Sequence, residues 1–198
     1  MVVMRGLVLI VVLVAVGAAI FYWWRARQAA EAASAEPVVD PLRRDARGID
    51  PRKIKVGDVV AHEGRDFLVR GTLAMDEDGY AWQEHHLDDT TTRRWLSVED
   101  DEELEIVLWE SADAPDLQPG ATELTFAGTS FRRKEQGRAN FTASGATGTA
   151  PSGSVEYADY AAGDRRLSFE RFGTGGDWEV GIGRTLNERE LDIYPTTS

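Results

Sequence analysis

Residues 93–99 read RRWLSVE, and 72 positions later residues 165–170 read RRLSFE. The likeness extends outward, QEHHLDDTTTRRWLSVE (83–99) lining up loosely with VEYADYAAGDRRLSFE (155–170). Each copy has an acidic strand, an Asp-containing turn, two arginines and a strand holding Leu-Ser-x-Glu. A serine nucleophile used twice would need a base beside it, and neither copy offers a histidine at a fixed spacing. A structural unit built twice fits better. Two antiparallel strands are marginal alone and become stable once a second sheet covers their apolar face.

The rest of the chain from Val56 onward agrees with this. Short runs rich in β-branched and aromatic residues alternate with turn residues: VGDVVAH (56–62), FLVRGTLAM (67–75), YAWQEHHL (80–87), LEIVLW (104–109), then TELTF (122–126), SVEYADYA (154–161) and DWEVGIGRTL (177–186). No window there carries a sustained 3.6-residue apolar period. The expectation is a mainly β domain of about nine or ten strands, a two-part antiparallel sandwich or barrel. Its first half spans 52–110, a Pro-containing joint 111–121, and its second half 122–198. Val59, Phe67, Val69, Trp95, Leu96, Ile106 and Leu108 are the expected core of the first half.

A different element precedes this domain. From Gly6 to Trp24 the sequence GLVLIVVLVAVGAAIFYWW has 19 residues and no charge. As a helix it would be roughly 28 Å long, enough for a hydrocarbon core. Tyr22, Trp23 and Trp24, then Arg25 and Arg27, suit the boundary that follows. A cleaved secretory signal would have a shorter apolar core, and cleavage after Val16-Gly17-Ala18 would leave a greasy new terminus. We therefore expect residues 1–27 to be a retained transmembrane anchor and 28–51, which contain Pro37 and Pro41, a flexible linker. The flanking cations favour a single-pass protein of the plasma membrane with the bulk of the chain in the cytoplasm.

Charge and composition exclude several classes. Of 22 Lys and Arg, 19 lie beyond Arg27, together with all 34 Asp and Glu, giving that part a formal −15 against −12 for the whole chain. Such a surface repels nucleic acid and attracts cations. There is no cysteine, hence no disulfide and no thiolate chemistry. His62, His85 and His86 are the only histidines. The adjacent pair points to opposite faces of a strand, so no metal site is expected. DEDG (76–79) lacks the alternating ligand pattern of a calcium loop, and the glycine-rich stretches match no phosphate loop. No catalytic, cofactor-binding or metal-binding residue is assigned. Trp82, Glu84, His85, His86, Asp88, Arg93, Arg94 and Trp95 form the candidate ligand or partner surface.

KVGDVVAHEGRDFLVRGTL, Trp82-x-Glu84, RWLSVE, VEYADYAAGDRRLSFERFG and VGIG, in that order, resemble an uncharacterised family of bacterial domains frequent in actinobacteria. The resemblance covers about Ile54 to Tyr194. It implies an envelope-associated role, because genes of that family commonly neighbour phage-shock-type membrane-stress genes and polyamine-synthase-like enzymes. The leading expectation is a non-enzymatic interaction module in a membrane-stress assembly, with protein partners at the membrane. The alternatives are a sensor for a polyamine or other cation bound at the acidic turns, or a hydrolase using carboxylates with a histidine of the 85–86 pair.

Overall fold

A computed structural model describes residues 50–196. The expected anchor and almost all of the linker lie outside the described residues, and among the described residues no helix is long and apolar enough to cross a membrane. After a 3-10 turn at Pro51–Lys53 come β1 (Val59–His62), β2 (Arg65–Glu77), β3 (Tyr80–Asp88), β4 (Arg93–Asp100) and β5 (Leu104–Ser111). Then follow β6 (Glu123–Phe126), β7 (Thr129–Gly145), β8 (Ser152–Ala162), β9 (Arg165–Phe172), β10 (Glu179–Leu186) and β11 (Asp192–Tyr194).

The strands form one antiparallel sheet in the order β11-β1-β2-β3-β4-β5-β10-β9-β8-β7-β6. An added β2–β7 pairing closes the central eight into a barrel, with β1, β11 and β6 outside it. The sandwich alternative is thereby excluded. The seam runs from two facing glycines, Gly71 and Gly145, to the Asp76–Asn140 pair. A Cβ on Gly71 would lie 2.7 Å from the Ala146 backbone, and one on Gly145 would lie 2.4 Å from the Arg70 carbonyl oxygen. Gly145 also has φ +69°, which disfavours any side chain.

The repeat is visible in the topology. Each half runs short strand, long bulged strand, then three more strands, so that β1–β5 answer β6–β10. The two short strands both enter the long ones through two-residue turns with positive φ, Glu63-Gly64 and Ala127-Gly128, the geometry that matches strand twist. Each long strand carries a bulge, at Arg70 in β2 and Lys134 in β7. An extra residue reverses the side-chain parity of the strand. Phe67 and Val69 before the first bulge therefore face outward, whereas Leu73 and Met75 after it face the lumen.

Two apolar cores lie on the barrel's outer surface for this reason. β1, β11 and the segment around Ile54 fold over β3–β5, burying Val60, Phe67, Leu87, Leu96, Ile106 and Ile193. β6 and residues 112–126 cover β8–β10 over Phe131, Tyr160, Leu167 and Phe169. The expected core residues Phe67, Val69, Leu96, Ile106 and Leu108 belong to the first of these. Val59 and Trp95 do not, because each has the opposite parity. Val60 takes the place expected of Val59, and Trp95 turns into the lumen.

Candidate functional site in the barrel lumen

Directly paired residues on neighbouring strands share a face, so the register identifies the lining. Glu84 pairs with Ser97 and Trp82 with Glu99. In the second half Asp159 pairs with Ser168 and Tyr157 with Glu170. Each hairpin thus contributes a carboxylate opposite a serine and an aromatic ring opposite a glutamate. These positions line a cavity of about 560 Å³, within the roughly 300–1,000 Å³ of small-molecule sites. Eight strands leave a lumen that large side chains would fill. Here Ser97, Ser168, Gly181 and Thr185 occupy inward positions instead. A Cβ on Gly183 would lie 2.5 Å from the Trp109 ring, so that glycine seats the indole against the wall.

The lumen concentrates carboxyl groups. Glu84 and Glu170, on strands separated by β4, β5 and β10, both line it. Trp82 Nε1 donates to Glu84 Oε1 at 3.0 Å. Burial pushes both carboxyls upward, and for Glu170 the charges of Glu84, Asp159 and Glu179 push it well above the usual carboxylate range. Burial likewise raises Asp159 to about 7, with Glu135 and Glu84 adding to the rise and the Ser168 hydroxyl countering part of it. Asp159 Oδ1 is closed off from solvent and has no hydrogen-bond partner.

Of the four Arg and Lys that line the cavity, two share one carboxylate. Lys134 Nζ and Arg166 Nε contact opposite oxygens of Glu105 at 2.9 and 2.8 Å. Nine Asp and Glu line the cavity against four Arg and Lys, so its unbalanced charge is negative. The aromatic wall is held by its own bonds: Trp109 Nε1 donates to Ser97 Oγ at 2.9 Å, Trp82 meets Tyr157 edge-on at 5.7 Å, and Trp95 stacks on His86 at 5.1 Å. Tyr80 donates to Glu99, and Tyr157 to Glu77. Among the described residues no group of three His, Asp or Glu side chains has the arrangement of a metal site.

Of the eight residues of the expected surface, Trp82, Glu84, His86, Asp88, Arg93 and Trp95 line the cavity. His85 and Arg94 have the other parity. His85 is fully buried on the outer side of β3 with Thr72 Oγ1 at 2.9 Å, and Arg94 lies over the Phe67 ring and pairs with Glu110. Asp88 and Asp89 serve their own turn, accepting from the Thr90 N–H at 2.7 Å and from the Thr91 and Thr92 N–H groups at 3.0 and 2.7 Å. Asp159, Glu170, Glu135 and Tyr157 complete the site and are absent from the expected set. The shared Leu-Ser-x-Glu ending and the alignment of the two hairpins carry the signal that marks them.

Comparison with known proteins places this barrel. A family profile described as a domain of unknown function, DUF4178, matches residues 55–188. The chain belongs to the DUF4178 family. The matched span runs from just before β1 to just past β10, so it takes in every strand of the barrel. The chain is 37% identical over 164 residues, 79% of each protein, to the uncharacterized protein Rv2597 of Mycobacterium tuberculosis. It is equally similar to the uncharacterized protein Mb2628 of Mycobacterium bovis. No solved structure matches this DUF4178 chain.

Proposed function

We propose that the barrel is a binding domain for a small organic cation, an amine or polyamine, held in the lumen. The observation that supports this most is Asp159, whose side chain lines a ligand-sized cavity together with Glu84 and Glu170 and whose Oδ1 is enclosed without a hydrogen-bond partner. An unpaired buried acceptor costs about 1–3 kcal/mol, and an ammonium group in the cavity would remove that cost. Indole and phenol rings around it suit a cation or the methylene chain between two cations. The attraction is placed in the lumen and not at the Asp88-Asp89 turn, whose carboxylates are engaged by their own backbone.

The stretch 6–24 would tether this binding domain to the plasma membrane, with the barrel on the cytoplasmic side. Fusions to a fluorescent reporter and to an externally active phosphatase test that orientation. The interaction-module reading has less to rest on. Among the described residues only Val56 and Tyr194, 43% and 53% exposed, are exposed large hydrophobics, and two scattered residues make no docking patch. A hydrolase reading would need a histidine beside the carboxylates. His85 faces away from them, and His86 is stacked on Trp95 with Nδ1 2.8 Å from the Ala146 carbonyl oxygen.

Spermidine titrated into the full-length protein, followed by tryptophan fluorescence, tests the proposal. Saturable quenching that Asp159→Asn weakens at least tenfold is the expected result. A response unchanged by Asp159→Asn would remove it.

A further inference from the structure

We infer that the lumen takes an amphoteric ligand: an extended amino acid whose ammonium group sits among the carboxylates and whose own carboxylate meets Arg70 and Arg93 at one end of the barrel. This rests on the cation-binding reading and names the class of amine.

The register puts the two arginines at the same end. Arg93 on β4 stands opposite Asp88 on β3, and Arg70 is the bulge residue of β2, between the pairs Val69–Leu87 and Gly71–His86. Both line the cavity, and among the described residues neither belongs to an ion pair. The carboxylates of that end have other neighbours. Asp88 accepts from the Thr90 N–H at 2.7 Å, Glu110 pairs with Arg94, and Glu179 stands opposite Glu170 on β9. The Thr147 and Thr149 hydroxyls, just past the Gly71–Gly145 pair, line the cavity there as well. At the far end of β4 the cations are already matched. Glu99 lies opposite Glu105, Tyr80 donates to Glu99, and Glu105 holds both Lys134 and Arg166.

The two kinds of charge are spaced along the barrel. Glu84 lies four residues from Asp88 on β3, about 13 Å along the strand and about 10 Å along the axis of a barrel of ordinary tilt. Trp95, opposite His86, stands between these levels and offers a wall for a methylene chain. Guanidinium groups hold a carboxylate through paired N–H bonds. An ammonium group beside Asp159 and Glu84 and a carboxylate at the two arginines therefore suit opposite ends of one extended molecule. The two-carbon spacing of an ethanolamine headgroup is too short for that span, so the class is a free amino acid and not a phospholipid. A diamine of the same length would set its second ammonium against the guanidiniums and bind more weakly.

Calorimetric titration of the full-length protein in detergent with 6-aminohexanoate and with its neutral amide, 6-aminohexanamide, tests this. The two share a length and an ammonium group and differ in the charge at the far end. The expected result is binding of the amino acid about tenfold tighter than the amide, a preference that shrinks to about twofold or less in Arg70→Gln/Arg93→Gln. Equal affinities for the two ligands in the wild type would overturn the anionic subsite and leave the cation site standing. A full preference kept by the double variant would overturn its assignment to these arginines. Binding of spermidine without binding of either probe would overturn the amino-acid class alone. No binding of any of the three would remove the cation reading and this inference together.

Discussion

Asp159 on β8 faces the lumen and His85 on β3 is buried on the outer side of the sheet, and burial acts on them with opposite sign. Asp159 is raised from 3.8 to about 7 in the folded barrel. The folded state therefore holds a proton that the unfolded chain has lost. The stability this gives is complete near pH 4 and disappears as pH rises to about 7, amounting to at most about 4 kcal/mol. His85 is lowered from 6.5 to about 4 by desolvation, with Asp58 opposing. Its contribution is complete above 6.5 and is lost as pH falls towards 4. The two partly cancel in the wild type, so the test is a difference. Asp159→Asn should raise the unfolding temperature at pH 7.5 relative to wild type and lose that advantage at pH 4.5, as thermal scans at both values would show. The carbon-bound protons of the His85 ring should show no titration by NMR between pH 7 and 5.5.

At the level of elements, the seam and the twin hairpins bear the fold. Gly145→Val places a branched side chain at positive φ and against the Arg70 carbonyl. It should cost about 2–4 kcal/mol or prevent closure, read from chemical denaturation. Leu96 and Leu167 occupy matching places in the two hairpins and are both fully buried. Leu96→Ala and Leu167→Ala should each cost about 2–5 kcal/mol and should add, because they lie in separate cores. The repeat itself is legible in RRWLSVE and RRLSFE, but its register is not. Matching the letters pairs Arg93 with Arg165, whereas the cross-strand partners pair Arg94 with Arg165, each lying over a phenylalanine of the long strand, Phe67 and Phe131. Trp95 then corresponds to Arg166. Parity is set by the bulges at Arg70 and Lys134, which have no distinctive local sequence. The shared Leu-Ser-x-Glu ending marks Glu170 as the counterpart of Glu99, but which face turns into the lumen, and hence that Asp159 and Glu170 belong to the site, shows only in the closed barrel.

For the whole molecule, the decisive feature is that a strongly acidic chain turns a share of its carboxylates inward. A barrel of eight strands ordinarily fills with side chains, and small residues on β4, β9 and β10 keep this one open. The mainly β class and the twofold construction can be read from turn spacing and the repeat. Closure into a single barrel cannot, because it depends on a β2–β7 pairing between residues some seventy positions apart. If the lumen is a cation site on a membrane tether, it places a selective reservoir or sensor for that cation at the bilayer surface. The central claim is that the cation enters the lumen. Calorimetric titration of the full-length protein in detergent with spermidine at near-physiological salt, for the wild type and for Glu84→Gln/Asp159→Asn, tests it most directly. The account expects one-to-one binding that the double substitution abolishes while the unfolding transition survives. Absence of binding by the wild type, or equal binding by both proteins, would contradict it.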